Sequence, residues 1–248
     1  GFAASRACAE ETGARIMDGH YALDLASDAI LRGEMRQAAA ILEGVAAKTP
    51  PEHYNLAGHL HMIQAWAAAR NGDPARLRAH AALLAQAAEG FCCVGYRVAA
   101  QVAEAIADVL EGGTDGISAP AAPKLSCDDF PFPLPRIHAG LLAASVALGR
   151  GDREACLASL AVALPLWARE SPGYLTFAVP KILAPLCAEA LEASIEPDFV
   201  RRVVSAHDLS APANAGPGWP WPLTIRCFGG FELRVDGAPL PVRGKSKH

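Results

Sequence analysis

The sequence predicts an all-α protein of helix-turn-helix repeats wound into a right-handed superhelix, with a short C-terminal β-meander fragment. The first observation behind this is a glycine-centred turn that recurs. It reads Leu31-Arg32-Gly33-Glu34, Arg70-Asn71-Gly72-Asp73, Leu110-Glu111-Gly112-Gly113 and Arg150-Gly151-Asp152-Arg153, with the glycines 39, 40 and 39 residues apart. A fixed period of this kind marks a helical repeat array. The second is composition. Hydrophobic residues make up 52% of the 248, much of it alanine, and aromatics only 6%, which suits close helix packing and suits strands poorly. The third is a change of hydropathy period from 3.6 to 2 after residue 222.

Each turn glycine is expected to end a helix, because glycine accepts the left-handed conformation a helix stop requires. Asp73 and Asp152 follow as N-caps, and Pro74 takes the first helical position, where a missing N–H costs nothing. The unit is thus helix, tight turn, helix, a TPR-like pattern. Residues 19–32 and 35–48 read as the first pair, with Ala38, Ile41, Leu42 and Val45 striping the second helix. Pro50-Pro51 ends it. The second pair reads over 52–71 and 74–89, with stripes Leu56, Leu60, Ile63, Ala67 and Leu77, Ala81, Leu84.

In the third unit Val98, Val102, Ile106 and Val109 make one good helix. The stretch 112–135 that follows is rich in proline and reads as a long loop. The fourth unit is regular, with Ile137, Leu141 and Leu142 on its first helix and Leu157, Leu160, Ala161 and Leu164 on its second. Pro165 is expected to kink or weaken the latter. A further helix reads over 178–193, and a short last one over 197–206. Residues 1–207 therefore form the helical repeat domain and 208–222 a linker rich in Pro, Ala and Gly.

Residues 223–248 read as short strands. Leu223, Ile225 and Cys227 alternate with Thr224, Arg226 and Phe228; Phe231, Leu233 and Val235 alternate with Glu232 and Arg234; and Asp236-Gly237 is a hairpin signal. Leu240 and Val242 begin a return strand. So short a meander is not independently stable. This segment carries five basic side chains against two acidic ones, so +3 of a total of −4, leaving −7 on the remainder. A mildly acidic body with a basic tail points to two modules with different partners.

Several classes are disfavoured. No uninterrupted apolar run of about 18 residues reads as a membrane span, and the N-terminus has no basic-then-apolar leader. Gly1 stands inside helix-like sequence, as in a piece of a longer chain. Seven scattered cysteines include no C-x-x-C pair, which favours a reducing cytoplasm. There is no H-E-x-x-H, G-x-S-x-G or Rossmann glycine pattern, so no enzyme and no cofactor in this stretch are expected. Arg243-Gly244-Lys245-Ser246 looks like the end of a phosphate-binding loop, but proline at 239 breaks the motif. Asp128-Asp129 falls in the proline-rich stretch and reads as solvated.

The tail also resembles a known family. Trp219-Pro220-Trp221-Pro222-Leu223-Thr224-Ile225, Phe228-Gly229-Gly230-Phe231-Glu232 and Val235-Asp236-Gly237-Ala238-Pro239-Leu240 resemble the entry into an OmpR/PhoB-type winged helix. Together with Leu186-Cys187-Ala188-Glu189-Ala190-Leu191-Glu192-Ala193-Ser194-Ile195-Glu196, they look like the end of the arm in large bacterial regulators of the MalT-like class. Ser194 departs from the glycine expected there, and Gly230 from a basic residue. The resemblance covers about 186–242. It implies a cytoplasmic transcriptional regulator with an ATP-binding module upstream, a sensor arm, and a DNA-binding domain begun at 223. A second regulator class places the winged helix before the repeats, the reverse of the order here. The alternative to the sensor arm is a stand-alone TPR-like adaptor that docks a protein partner. DNA is expected to be bound only through the complete C-terminal domain, since base reading needs a recognition helix. Open strand edges allow self-association.

Registering the repeats by their turns aligns His20, His59 and His138, with Ala99 at the same position of the third unit. On the second unit's first helix His59, Met62, Trp66 and Arg70 share a stripe. First helices of such arrays line one concave face, so these residues are candidates for a groove taking a polar small-molecule inducer or a peptide. They equally fit an array in which the histidines fill one packing slot of related repeats. One metal ion is not expected to bridge them, because packed helices lie about 8–10 Å apart and zinc–nitrogen bonds are about 2 Å.

Overall fold

The computed structural model describes residues 18–50, 52–112, 133–170, 177–228, 232–235 and 238–240. The expectations for Gly1, for most of the proline-rich stretch (113–132), for the Asp236-Gly237 turn, Gly230, Phe231, Val242 and the basic residues beyond 240 fall outside these, while Leu134 and Pro135, at the end of the expected loop, already belong to a helix. The described chain is mostly helical, with a small three-stranded antiparallel sheet. In order come α1 (Asp18–Leu31), α2 (Met35–Ala46), α3 (Tyr54–Asn71), α4 (Pro74–Phe91) and α5 (Val94–Glu111). Then follow α6 (Leu134–Gly149), α7 (Arg153–Ala168), α8 (Pro180–Glu192) and α9 (Pro197–Ala206), and finally β1 (Leu223–Arg226), β2 (Glu232–Val235) and β3 (Ala238–Leu240).

Three of the four turn glycines take the left-handed conformation, with φ of 76° at Gly33, 67° at Gly72 and 74° at Gly151. Asp73 and Asp152 accept backbone N–H groups from Arg76 and Ala155, each at 3.0 Å. Gly112 differs, closing α5 in the right-handed region at φ −62°. The step from α4 to α5 differs too. There Cys92 enters the left-handed region at φ 52°, which costs an L-residue about 1–2 kcal/mol. Gly90, two residues earlier, is kept for another purpose: a Cβ there would lie 2.7 Å from the Tyr54 ring. α4 consequently runs to Phe91, two residues past its expected end.

The first helices pack in succession, α1 on α3, α3 on α5, α5 on α6 and α6 on α8, while α2, α4, α7 and α9 each pack on their own partner. The core runs continuously through both sets. α3 is buried on more than its Leu60–Ile63 stripe, since Ala65, Trp66, Ala68 and Ala69 are buried as well. α7 runs through Pro165 as one helix. Its buried face is Cys156, Leu160, Ala163, Leu164 and Trp167, and Ala161 is exposed, so the stripe lies one position from the expected one.

α8 is buried over most of its surface, Glu189 included. That carboxylate is held by Arg153 Nε at 2.6 Å and by Asn214 Nδ2 at 2.9 Å, as a buried charge must be. Asn214 and Trp219 belong to the linker, and Trp219 is only 5% exposed in the core cluster. The linker is thus bound down along the last helices. Beyond it β1, β2 and β3 form the meander in sequence order. Leu223 pairs with Val235, Ile225 with Leu233, and Leu233 with Leu240. These apolar residues share one sheet face, on which Leu223, Ile225, Val235 and Leu240 are all exposed among the described residues.

Candidate functional site

The histidine register takes physical form in α3. His59 Nδ1 meets His20 Nδ1 of α1 at 3.1 Å. The ring centres are 5.4 Å apart and the planes 27° from parallel, so both nitrogens lie near the line of centres. This is a shared N–H···N bond: one ring donates, the other accepts. Burial lowers the His59 pKa, the charge of His20 lowers it further, and Asp24 opposes both. His61, two residues on, faces another way. It stacks on His80 of α4 at 5.9 Å and bonds Gln64 Oε1 at 3.1 Å. Burial lowers both of these pKa values, with Gln64 opposing at His61, and the charges of His61 and Arg76 adding at His80.

Met62 turns from the His20 contact toward α5 and α6, where a cavity of about 280 Å³ opens. Cys93, Gly95, Tyr96, Val98, Ala99 and Val102 line it from α5 and its start, and Leu134, Pro135 and His138 from α6, with Phe177 completing the described wall. Tyr96 is fixed by donating to both the carbonyl oxygen and the Oδ1 of Asn55, at 2.8 and 2.9 Å. Burial pushes its pKa up to about 12, so it stays a neutral phenol. Its ring can lie so close to α3 only because residue 58 is glycine, where a Cβ would overlap the ring. His138 is 4% exposed, donates Nδ1–H to the Leu134 carbonyl at 2.9 Å, and meets Phe177 edge-on at 6.3 Å.

The six candidate residues are therefore distributed over three places. His20 and His59 pair with each other, while Met62 and His138 line the cavity. Trp66 is 5% exposed in the core, and Arg70 lies half-buried near Asp208, its pKa lowered by burial against the opposing Asp208 charge. Neither lines the cavity among the described residues. Trp66 Nε1 and Arg70 Nη1 are buried donors without a protein partner among the described residues. Of the four aligned positions, 20 and 59 meet directly, and 99 and 138 share the cavity wall. Sequence reading missed Tyr96, Phe177 and Gly58. The one available signal for them was a glycine in the interior of an otherwise good helix.

Among the described residues no three His, Cys, Asp or Glu side chains are grouped to hold a metal ion, and no helix is long and apolar enough to cross a membrane. Comparison of the chain with family models, curated proteins and solved structures gives no match.

Proposed function

We propose that this chain is the effector-sensing and interaction arm of a MalT-like bacterial transcriptional regulator. In this reading its hairpins form a TPR-like right-handed superhelix, and 223–248 opens an OmpR/PhoB-type winged helix. The arm is non-catalytic and cytoplasmic, and DNA is bound only by the complete C-terminal domain. The observation that carries the reading is the direct succession of helical hairpins, a linker tied down by Trp219 and Asn214, and an antiparallel meander with an exposed apolar face. An antiparallel meander of three strands in sequence order, where the resemblance begins its winged helix, supports it. The Ser194 backbone supports it as well. That residue sits at φ 57°, the conformation for which the resemblance expects glycine. A partly open cavity between α3, α5 and α6 gives such an arm a place to sense a small molecule.

The test is a DNase footprint on the region upstream of the protein's own gene. The full-length protein protects a defined sequence, and residues 1–248 alone give only weak, salt-sensitive binding. A sequence-selective footprint from residues 1–248, or none from the full-length protein at any promoter tried, rejects the reading.

A further inference from the structure

The wall of the cavity between α3, α5 and α6 defines the chemistry of what fits it. No Asp, Glu, Lys or Arg stands among its described lining residues. An ion seated against the described wall would lose hydration without gaining a counter-charge from it, which is unfavourable. The Tyr96 hydroxyl is already engaged by Asn55 and the His138 Nδ1 by Leu134. What the wall presents is the rings of Tyr96, His138 and Phe177 and the thioether of Met62. Rings favour edge-to-face contact with another ring, and sulfur favours the edge of an arene. Size narrows the choice. A dry apolar cavity of about 150 Å³ holds a benzene ring. At about 280 Å³ there is space for a second fused ring or a short tail.

We propose that this cavity is a binding site for a neutral aromatic small molecule of about bicyclic size, seated among Met62, Tyr96, Ala99, His138 and Phe177. This deepens the sensor reading by naming its ligand class. It rests on that reading for the consequence of binding, while the binding itself is read separately.

The experiment uses the chain labelled with ¹³C at the methionine methyls, of which there are three, at 17, 35 and 62. Indole is titrated as the probe, with indole-3-carboxylate as its charged counterpart. The expected result is a saturable shift of the Met62 methyl with indole, and affinity for the carboxylate lower by about tenfold or more. Ala99→Leu, which fills the cavity from its wall, abolishes the shift without lowering the melting temperature. Val102→Phe serves as a second filling variant should the first not fold. An unmoved Met62 methyl at millimolar indole overturns the proposal. So does equal affinity for the carboxylate, or a shift that survives both filled cavities. If Met62 responds as expected but the full-length protein footprints no DNA, the cavity assignment stands and the regulator reading fails. If the footprint is found and Met62 stays silent, the cavity assignment alone fails.

Discussion

Replacing Gly58 by alanine sets two well-understood effects against each other. In a helix interior the change should stabilise by about 1 kcal/mol on propensity alone. At this position the new Cβ would overlap Cε2 and Cδ2 of Tyr96. The ring has to leave, because its hydroxyl is anchored at 2.8 and 2.9 Å on Asn55 of the same helix. Overpacking of this kind costs about 1–3 kcal/mol, and loss of the hydroxyl's bonds roughly another 0.5–1.5 kcal/mol. The net expectation is destabilisation of about 2 kcal/mol. In a chain of this size that lowers Tm by roughly 4–8 °C. Thermal melts followed by far-UV circular dichroism measure it. Adding Tyr96→Ala to Gly58→Ala should cost at least about 1 kcal/mol less than the sum of the single changes, because the two residues are in contact. A Gly58→Ala protein that melts at or above the parent temperature refutes the reasoning, since helix propensity would then have outweighed the ring.

Other outcomes follow from the same structure. Ser194→Gly relieves a left-handed L-residue at φ 57° and should stabilise by about 0.5–1 kcal/mol, the strain of about 1–2 less the glycine entropy; an unchanged or lower melting temperature contradicts it. Trp219→Ala should cost about 3–5 kcal/mol and open the linker to limited proteolysis. Trp221→Ala, at a residue 39% exposed with one 3.3 Å bond to Gly216, should cost under about 1 kcal/mol; equal effects would show that the linker is not held as described. His59, His61 and His80 all have lowered pKa values in the fold, with burial the largest cause. The unfolded chain therefore binds more protons at mildly acid pH, and stability should be full above the ordinary histidine value of about 6.5 and fall as pH drops below it. Melts across pH 7.5 to 5.5 check this, and a flat or rising Tm on acidification contradicts the burial of the three rings.

The parts of the fold that depend on local chemistry were legible in the residues. Gly33, Gly72 and Gly151 stop helices because few other residues take a positive φ cheaply, and Asp73 and Asp152 cap because their side chains reach back to the free N–H groups. The meander's strands were legible in the alternation of Leu223 with Ile225 and of Leu233 with Val235, while their pairing is read from the structure. What escaped depends on contacts between distant segments. Cys92 adopts a left-handed turn that no propensity favours, and Gly90, the residue a sequence reading would choose as the stop, lies inside the helix against the Tyr54 ring. Trp66 reads as part of a polar stripe on a helical wheel, yet α3 has helices on several sides and buries it. The repeat register aligned His20, His59, Ala99 and His138 as equivalent positions, but it carried no information on which of them meet or on the cavity volume. That is set by the rings of Tyr96 and Phe177, which have no counterpart in the register.

The proposed repeat register is also what the account depends on most, since the histidine pair and the cavity are both read as contacts between first helices in equivalent positions. It is tested by paired cysteines joined with a short thiol-specific crosslinker, the linkage being located by mass spectrometry. His20→Cys with His59→Cys, and Ala99→Cys with His138→Cys, should each crosslink efficiently within one chain. Pairs displaced by two residues, 20 with 61 and 99 with 140, should not, because two residues along a helix turn the side chain to another face. Equal crosslinking of the registered and displaced pairs would contradict the stacked array.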